Sequence, residues 1–342
     1  MDWKGNCRTT AMGVMPHTSV DEALELALSV DIPFWPQLPR VSFYEDMYVQ
    51  ASEHFPGITL DLADQRIRFS TELFYEQLPE YLEHMEEPDY FALSGEYSMV
   101  YERFLAHDLS RYPAIRGQQI GPVSFGMKIM DENKKPIIYN AEVKGLIYDF
   151  MAQKMNVQYR QLKEKNSQAF MWVDEPGLEI IFGSFTGYAS ETARQDYQEF
   201  IGMMDAPIGI HLCGNPDWSF LLSQDISILS MDALSCGHIF SRYHEQVKTF
   251  LEEGRYIAWG IIPTLTEEMA DVQVKNMVEK LEEMWGYLAG KGISLELLLK
   301  QSLLAPARCC LINADGSNTV NKSFEMLQNV STAIREKYKL YD

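Results

Sequence analysis

Eight short apolar runs recur along this chain, and between them lie stretches with helical amphipathic spacing. The runs fall near 9-15 (TTAMGVM), 89-95 (DYFALSG), 119-126 (QIGPVSFG), 169-175 (AFMWVDE), 207-213 (PIGIHLC), 226-232 (ISILSMD), 256-262 (YIAWGII) and 302-308 (SLLAPAR). Most are continuously apolar and do not alternate, as expected of strands covered on both faces in a parallel sheet. The helical patterns cover 19-30, 98-110, 139-164, 188-204, 240-253, 266-290 and 318-338. Eight strands alternating with helices predict an α/β fold, a (β/α)8 TIM barrel. A doubly wound open sheet is the alternative, weakened because no GxGxxG follows the first run. The segment 32-88, rich in aromatics, acids and proline, reads as an insertion capping one barrel end. No linker or internal repeat is seen, so residues 1-342 are expected to form a single domain.

Composition limits the partners. Asp+Glu is 49 against 29 Lys+Arg, a net charge of −20. That excludes the basic clusters that bind nucleic-acid backbones or anionic membranes. The apolar runs are far shorter than the roughly 20 residues that span a bilayer. The N-terminal MDWKGNCRTT lacks a secretory signal's apolar run, which leads to an expectation of a cytoplasmic protein. The five cysteines (Cys7, Cys213, Cys236, Cys309, Cys310) are odd in number and too few for a disulfide scaffold. In a reducing compartment such thiols serve more often as metal ligands or catalysts.

Active sites of barrels sit at the C-terminal strand ends. The polar residues predicted there are His17, Glu96, Ser124, Asp174 with Glu175, His211 with Cys213, Asp232, Thr264, and Cys309 with Cys310. His211-x-Cys213 stands out, because residues two apart on a strand point the same way. Asp232 on the next strand and Cys309 on the last could complete a tetrahedral Zn2+ site. The competing readings are ordinary: free cysteines are among the most buried residues, and Asp174-Glu175-Pro176 could be a helix cap. Cys309 and Cys310, being adjacent, supply at most one ligand. Cys236 is a substitute ligand for Asp232, whereas Cys7, His238 and His244 read as structural.

The ordered set of motifs resembles the catalytic C-terminal domain of cobalamin-independent methionine synthase. The surrounding superfamily includes uroporphyrinogen decarboxylase and methylcobamide:coenzyme M methyltransferases. The matching pieces are Thr9-Thr10-Ala11-Met12-Gly13-Val14-Met15-Pro16-His17, Ser94-Gly95-Glu96, Gly121-Pro122-Val123-Ser124, Val173-Asp174-Glu175-Pro176, Ile210-His211-Leu212-Cys213, Ile228-Leu229-Ser230-Met231-Asp232, and Ala305-Pro306-Ala307-Arg308-Cys309-Cys310-Leu311. The resemblance implies a barrel holding Zn2+ through His211, Cys213 and Cys309. Asp232 stands where the family has a glutamate, and Cys309 is preferred over Cys310 because it keeps its spacing to Leu311. It also implies that Asp174 and Glu96 hold the amino group of an amino-acid substrate. The Gly13-Val14 backbone would take its carboxylate, and Ser124 is a further substrate-binding candidate.

The implied chemistry is methyl transfer to a thiol, most simply homocysteine to methionine, with the thiol bound to zinc. A free thiol has a pKa of about 8.5 and is a poor nucleophile at neutral pH. Coordination deprotonates it. Nothing in the sequence corresponds to the folate-binding N-terminal half of the full-length synthases. The donor is therefore expected to be a methylcorrinoid, presented by a corrinoid protein, with methyltetrahydrofolate as the other option. An alternative keeps zinc but acts on a methoxylated or methylamine-type substrate or on coenzyme M. Porphyrin decarboxylation ranks low, since only Arg8 and then Arg40 lie near the first run. A corrinoid- or metal-binding module is the non-enzymatic reading.

Overall fold

The computed structural model describes residues 3–182, 188–309 and 313–341. Its strands are β1 (Arg8–Thr9), β2 (Ile58–Asp61), β3 (Arg66–Phe69), β4 (Arg116–Ile120), β5 (Phe170–Asp174), β6 (Ile208–Leu212), β7 (Ile228–Met231), β8 (Tyr256–Ile262) and β9 (Ser302–Pro306). Seven of them form one parallel sheet in the order β1-β9-β8-β7-β6-β5-β4, and β2 pairs with β3 in a separate antiparallel hairpin. The residues of β4 to β9 are buried along their whole length, with helices crossing over between them. For β5 to β9 this matches their largely apolar character, whereas β4 (RGQQI) is buried despite its polar side chains.

The sheet is a curled half-barrel, and both of its edges reach the segment 32-37. On the β1 side, the Ile32 N–H donates to Thr9 O at 2.9 Å and the Gln37 N–H to Gly13 O at 2.7 Å. On the β4 side, the Arg116 N–H donates to Pro33 O at 3.1 Å, and Phe34 makes a parallel bridge to Arg116. Pro33 and Pro36 lack N–H donors, so this extended segment makes isolated bridges, not a continuous ladder. The sequence reading placed 32-37 within the insertion, but here it runs between the sheet edges.

The strand expected at 89-95 does not form. Pro88–Phe91 is a single 3-10 turn with proline at its first position. Phe91 packs edge-on against Tyr81 of helix Thr71–His84 and against Phe150 of helix Ala141–Lys165. The run at 119-126 is a strand only to Ile120, because Pro122 opens helix Pro122–Lys128. Helix Ala233–Phe240 was not anticipated, since ALSCGHIF shows no clear polar face.

Two cores result. One fills the space between the sheet and the outer helices. The smaller lies on the sheet's inner face and includes Trp3, Met12, Phe170, Trp172, Ile228 and Leu303. The rest of the expected insertion is held to helix Ala141–Lys165 by a buried Lys154–Glu53 pair at 3.6 Å and by the Tyr81 hydroxyl donating to Asp149 at 2.8 Å. Among the described residues, no helix is long and apolar enough to cross a membrane.

Candidate functional site

The register sets the site. Asp174 on β5 pairs with His211 on β6, which pairs with Ser230 on β7. Three polar side chains thus stand in one row, one level beyond Trp172. His211 is buried, and its ring stacks on Trp172 with centroids 6.1 Å apart. Its Nδ1 lies 2.9 Å from Ser230 Oγ, and its Nε2 lies 3.2 Å from Cys213 Sγ. The two side chains point the same way, as period-2 spacing leads one to expect, and their donor atoms converge. Burial, reinforced by the Arg116 charge, lowers the His211 pKa to about 3, so the imidazole is neutral. Burial also pushes the Cys213 thiol up to about 12, while the Cys309 backbone hydrogen-bonds it and lowers it in part.

Asp232 is buried but already engaged. One oxygen caps helix Ala233–Phe240 by accepting from the Ser235 N–H at 2.9 Å, and the other accepts from Arg308 Nε at 3.2 Å. Cys309 is exposed and Cys236 is half-buried. Cys310 lies outside the described residues. Among the described residues, no three His, Cys, Asp or Glu side chains converge as a ready cage for an ion. The structure brings together two of the four expected ligands and sets the Cys309 backbone beside them.

Asp174 is buried, and its Oδ2 has no hydrogen-bond partner. Burial raises its pKa to about 7, opposed by the charge of Arg116. Arg116 itself is fully buried between the rings of Phe34 and Trp172, at 4.8 and 4.6 Å from the guanidinium carbon. It donates to Thr10 Oγ1 at 3.2 Å and to Gln118 Oε1 at 2.8 Å, which leaves Nη2 unpaired. Sequence reasoning missed this cation, and the unusual Arg-Gly-Gln-Gln opening of an apolar strand was the available signal.

Glu175 points the other way. Its carboxylate accepts from the Val123 N–H (3.0 Å), the Ser124 N–H (2.9 Å) and the Ser124 hydroxyl (2.6 Å). The Ser124 Oγ in turn accepts from the Gly177 N–H at 2.8 Å. Ser124 is thus part of a clamp between two strand-end loops. Gly121 is required there, because a Cβ would collide with the Glu175 carboxylate. Gly13 and Val14 bridge the 32-37 segment, and a Cβ on Gly13 would run into Gln118.

Glu96 is exposed in the turn beyond Ser94. The residue that the structure does place near Asp174 is Tyr48, on helix Met47–Ser52 of the insertion. Burial raises its phenol well above the usual value, and the charges of Glu175, Asp46, Asp174 and Cys309 add to this. At the other side of the strand ends, His17 and Thr264 are buried, with His17 Nδ1 and Thr264 Oγ1 unpartnered.

No family model matches this chain. No curated protein matches it either. Two of the solved structures that share its fold are these. One is a B12-independent methionine synthase from Shewanella sp. W3-18-1 in complex with selenomethionine: TM-score 0.58, 11% identity, covering 95% of this chain and 90% of that one. The other is a methyltransferase from Methanosarcina mazei: TM-score 0.51, 13% identity, covering 99% of this chain and 95% of that one. At such identities the likeness establishes the architecture, and chemistry must be argued from the side chains.

Proposed function

We propose that this chain is a (β/α)8-barrel methyltransferase, with the 32-37 segment as the eighth stave and a thiol as methyl acceptor. Homocysteine is the simplest acceptor, and the product would then be methionine. The observation that carries the reading is the row Asp174–His211–Ser230 with Cys213 beside it: an unsatisfied buried carboxylate next to a neutral imidazole–thiol pair. Two methyltransferases of the same architecture support it.

His211 Nε2 and Cys213 Sγ are suitable zinc donors, since a neutral imidazole and a soft sulfur suit this ion. Cys309 is the proposed third ligand. Asp232 becomes a fourth only by giving up Arg308. Zinc bound there would supply a Lewis acid that lowers the pKa of a substrate thiol. Ser230 fixes the His211 ring with Nε2 turned toward Cys213. Asp174 Oδ2 accepts a hydrogen bond from the substrate ammonium, whose charge favours the ionised carboxylate. The Glu175–Ser124 clamp fixes the loops around Asp174, and Tyr48 closes over it. In the transfer the thiol loses its proton, sulfur forms the S–CH3 bond, and the donor keeps the electron pair of the broken bond. The proposed donor is a methylcorrinoid, with methyltetrahydrofolate as the competing choice.

The test is zinc content together with methyl transfer to homocysteine from methylcobalamin and from methyltetrahydrofolate. Near-stoichiometric zinc and turnover are expected, with both lost in Cys213→Ser. Absence of zinc from protein never exposed to chelator would remove the metal from the proposal. Activity with folate alone would exclude the corrinoid donor.

A further inference from the structure

The insertion carries a cavity of its own, of about 540 Å3, apart from the Asp174 row. Its walls include Tyr44, Tyr97, Tyr90, His54, His84 and Glu80, and among the described residues no lysine or arginine lines it. Tyr44 and Tyr97 meet edge to face, with centroids 5.1 Å apart and planes at 76°, so they form two walls at nearly a right angle. Tyr90 stacks with two imidazoles, His54 at 4.8 Å and His84 at 5.3 Å, so this ring is a support.

The support is rigid. His54 holds a left-handed backbone, φ 66°, which a non-glycine residue adopts only when its surroundings enforce it. A reciprocal pair of bonds does so: His54 Nδ1 lies 2.7 Å from Tyr90 O, and the Tyr90 hydroxyl donates to His54 O at 3.2 Å. The Tyr97 carbonyl is likewise held, by Gln50 Nε2 at 3.2 Å.

The charge of Glu80 acts on the Tyr90 hydroxyl, and those of Glu53 and Glu96 on that of Tyr97. Lys154 pairs with Glu53 and His84 lies 3.0 Å from Glu87, and Glu80 is the one carboxylate among the described residues that line the cavity.

We infer that this cavity binds a methylated ammonium cation, with the Tyr44 and Tyr97 rings as an aromatic corner and Glu80 as the countercharge. Aromatic faces attract such cations through the ring quadrupole, most strongly where water is excluded. The spherical, weakly hydrated quaternary head needs no hydrogen-bond donor, so ring faces and a countercharge suffice to hold it. The inference does not depend on the methyl-transfer proposal.

The test is isothermal titration with choline and with its neutral isostere 3,3-dimethylbutan-1-ol. Saturable choline binding is expected, with the alcohol weaker by roughly tenfold or more. Glu80 is exposed on helix Thr71–His84, so Glu80→Gln leaves the fold intact and should weaken choline several-fold. Tyr97→Leu should weaken it further, and Cys213→Ser should leave it unchanged. Equal affinity for alcohol and choline would overturn the inference. So would no saturation at millimolar choline, or binding indifferent to Glu80→Gln. If Tyr97→Leu does not fold, the isostere ratio and Glu80→Gln still decide.

Discussion

Asp174 carries the sharpest conflict between stability and chemistry. An unfolded aspartate titrates near about 4, whereas burial holds the folded one at about 7. The folded protein therefore keeps a proton that the unfolded chain releases between those values, and stability falls as pH rises through that window. Asp174→Asn removes this penalty. In metal-free protein the variant should melt level with the parent near pH 3, below both values, and higher at pH 8, by about 2–5 °C; the zinc-loaded variant should lose methyl transfer. An equal offset at both pH values would show that Asp174 is not the titrating group. Ser230 offers a second residue-scale test. Its hydroxyl fixes the ring of the proposed ligand His211, and such outer partners change metal affinity by roughly 10–100-fold. Ser230→Ala should weaken zinc by that order in competition with a chromogenic chelator, and an unchanged affinity would separate the two groups. The His-x-Cys pair and the strand-end Asp174 were readable because period-2 spacing fixes their direction. Arg116, Tyr48 and the commitment of Asp232 to Arg308 were not, since each depends on side chains distant in sequence.

The element that most defies local reading is 32-37. Its prolines suppress a strand signal, yet it spans from β1 to β4. Trp35 anchors it: the ring is buried, its Nε1 donates to Gln158 Oε1 at 3.1 Å, and it packs on Tyr101 at 5.1 Å. Trp35→Ala should cost about 3–5 kcal/mol, seen as a lower urea midpoint, and a loss under 1 kcal/mol would show that the segment is dispensable. By contrast, β5 to β9 were legible almost to the residue. β8 spans Tyr256–Ile262 as the apolar run predicts, because a strand buried on both faces admits almost no polar residue. The same reasoning failed at 89-95, where Pro88 and the ring packing of Phe91 favour a 3-10 turn against a helix.

At the scale of the molecule, a net charge of −20 works against compactness. Screening length falls from about 30 Å at 10 mM salt to about 8 Å at physiological ionic strength. The melting temperature should therefore rise on moving from low to moderate NaCl, and a fall would mean that attractive pairs such as Lys144–Asp196 dominate. By itself the sequence determined the parallel α/β sheet, the order of its strands from 170 onward, and the pairing of His211 with Cys213. Those follow from burial and side-chain alternation, which act over a few residues. Tertiary structure decided which extended segment bridges the edges of the sheet, that Asp174 stands beside His211 and Ser230, and that Arg116 lies buried between two aromatic rings. It also decided that Tyr48 of the insertion lies within reach of the Asp174 and Glu175 charges and that the insertion encloses an aromatic cavity. These outcomes depend on strand register and long-range packing, which no local pattern encodes.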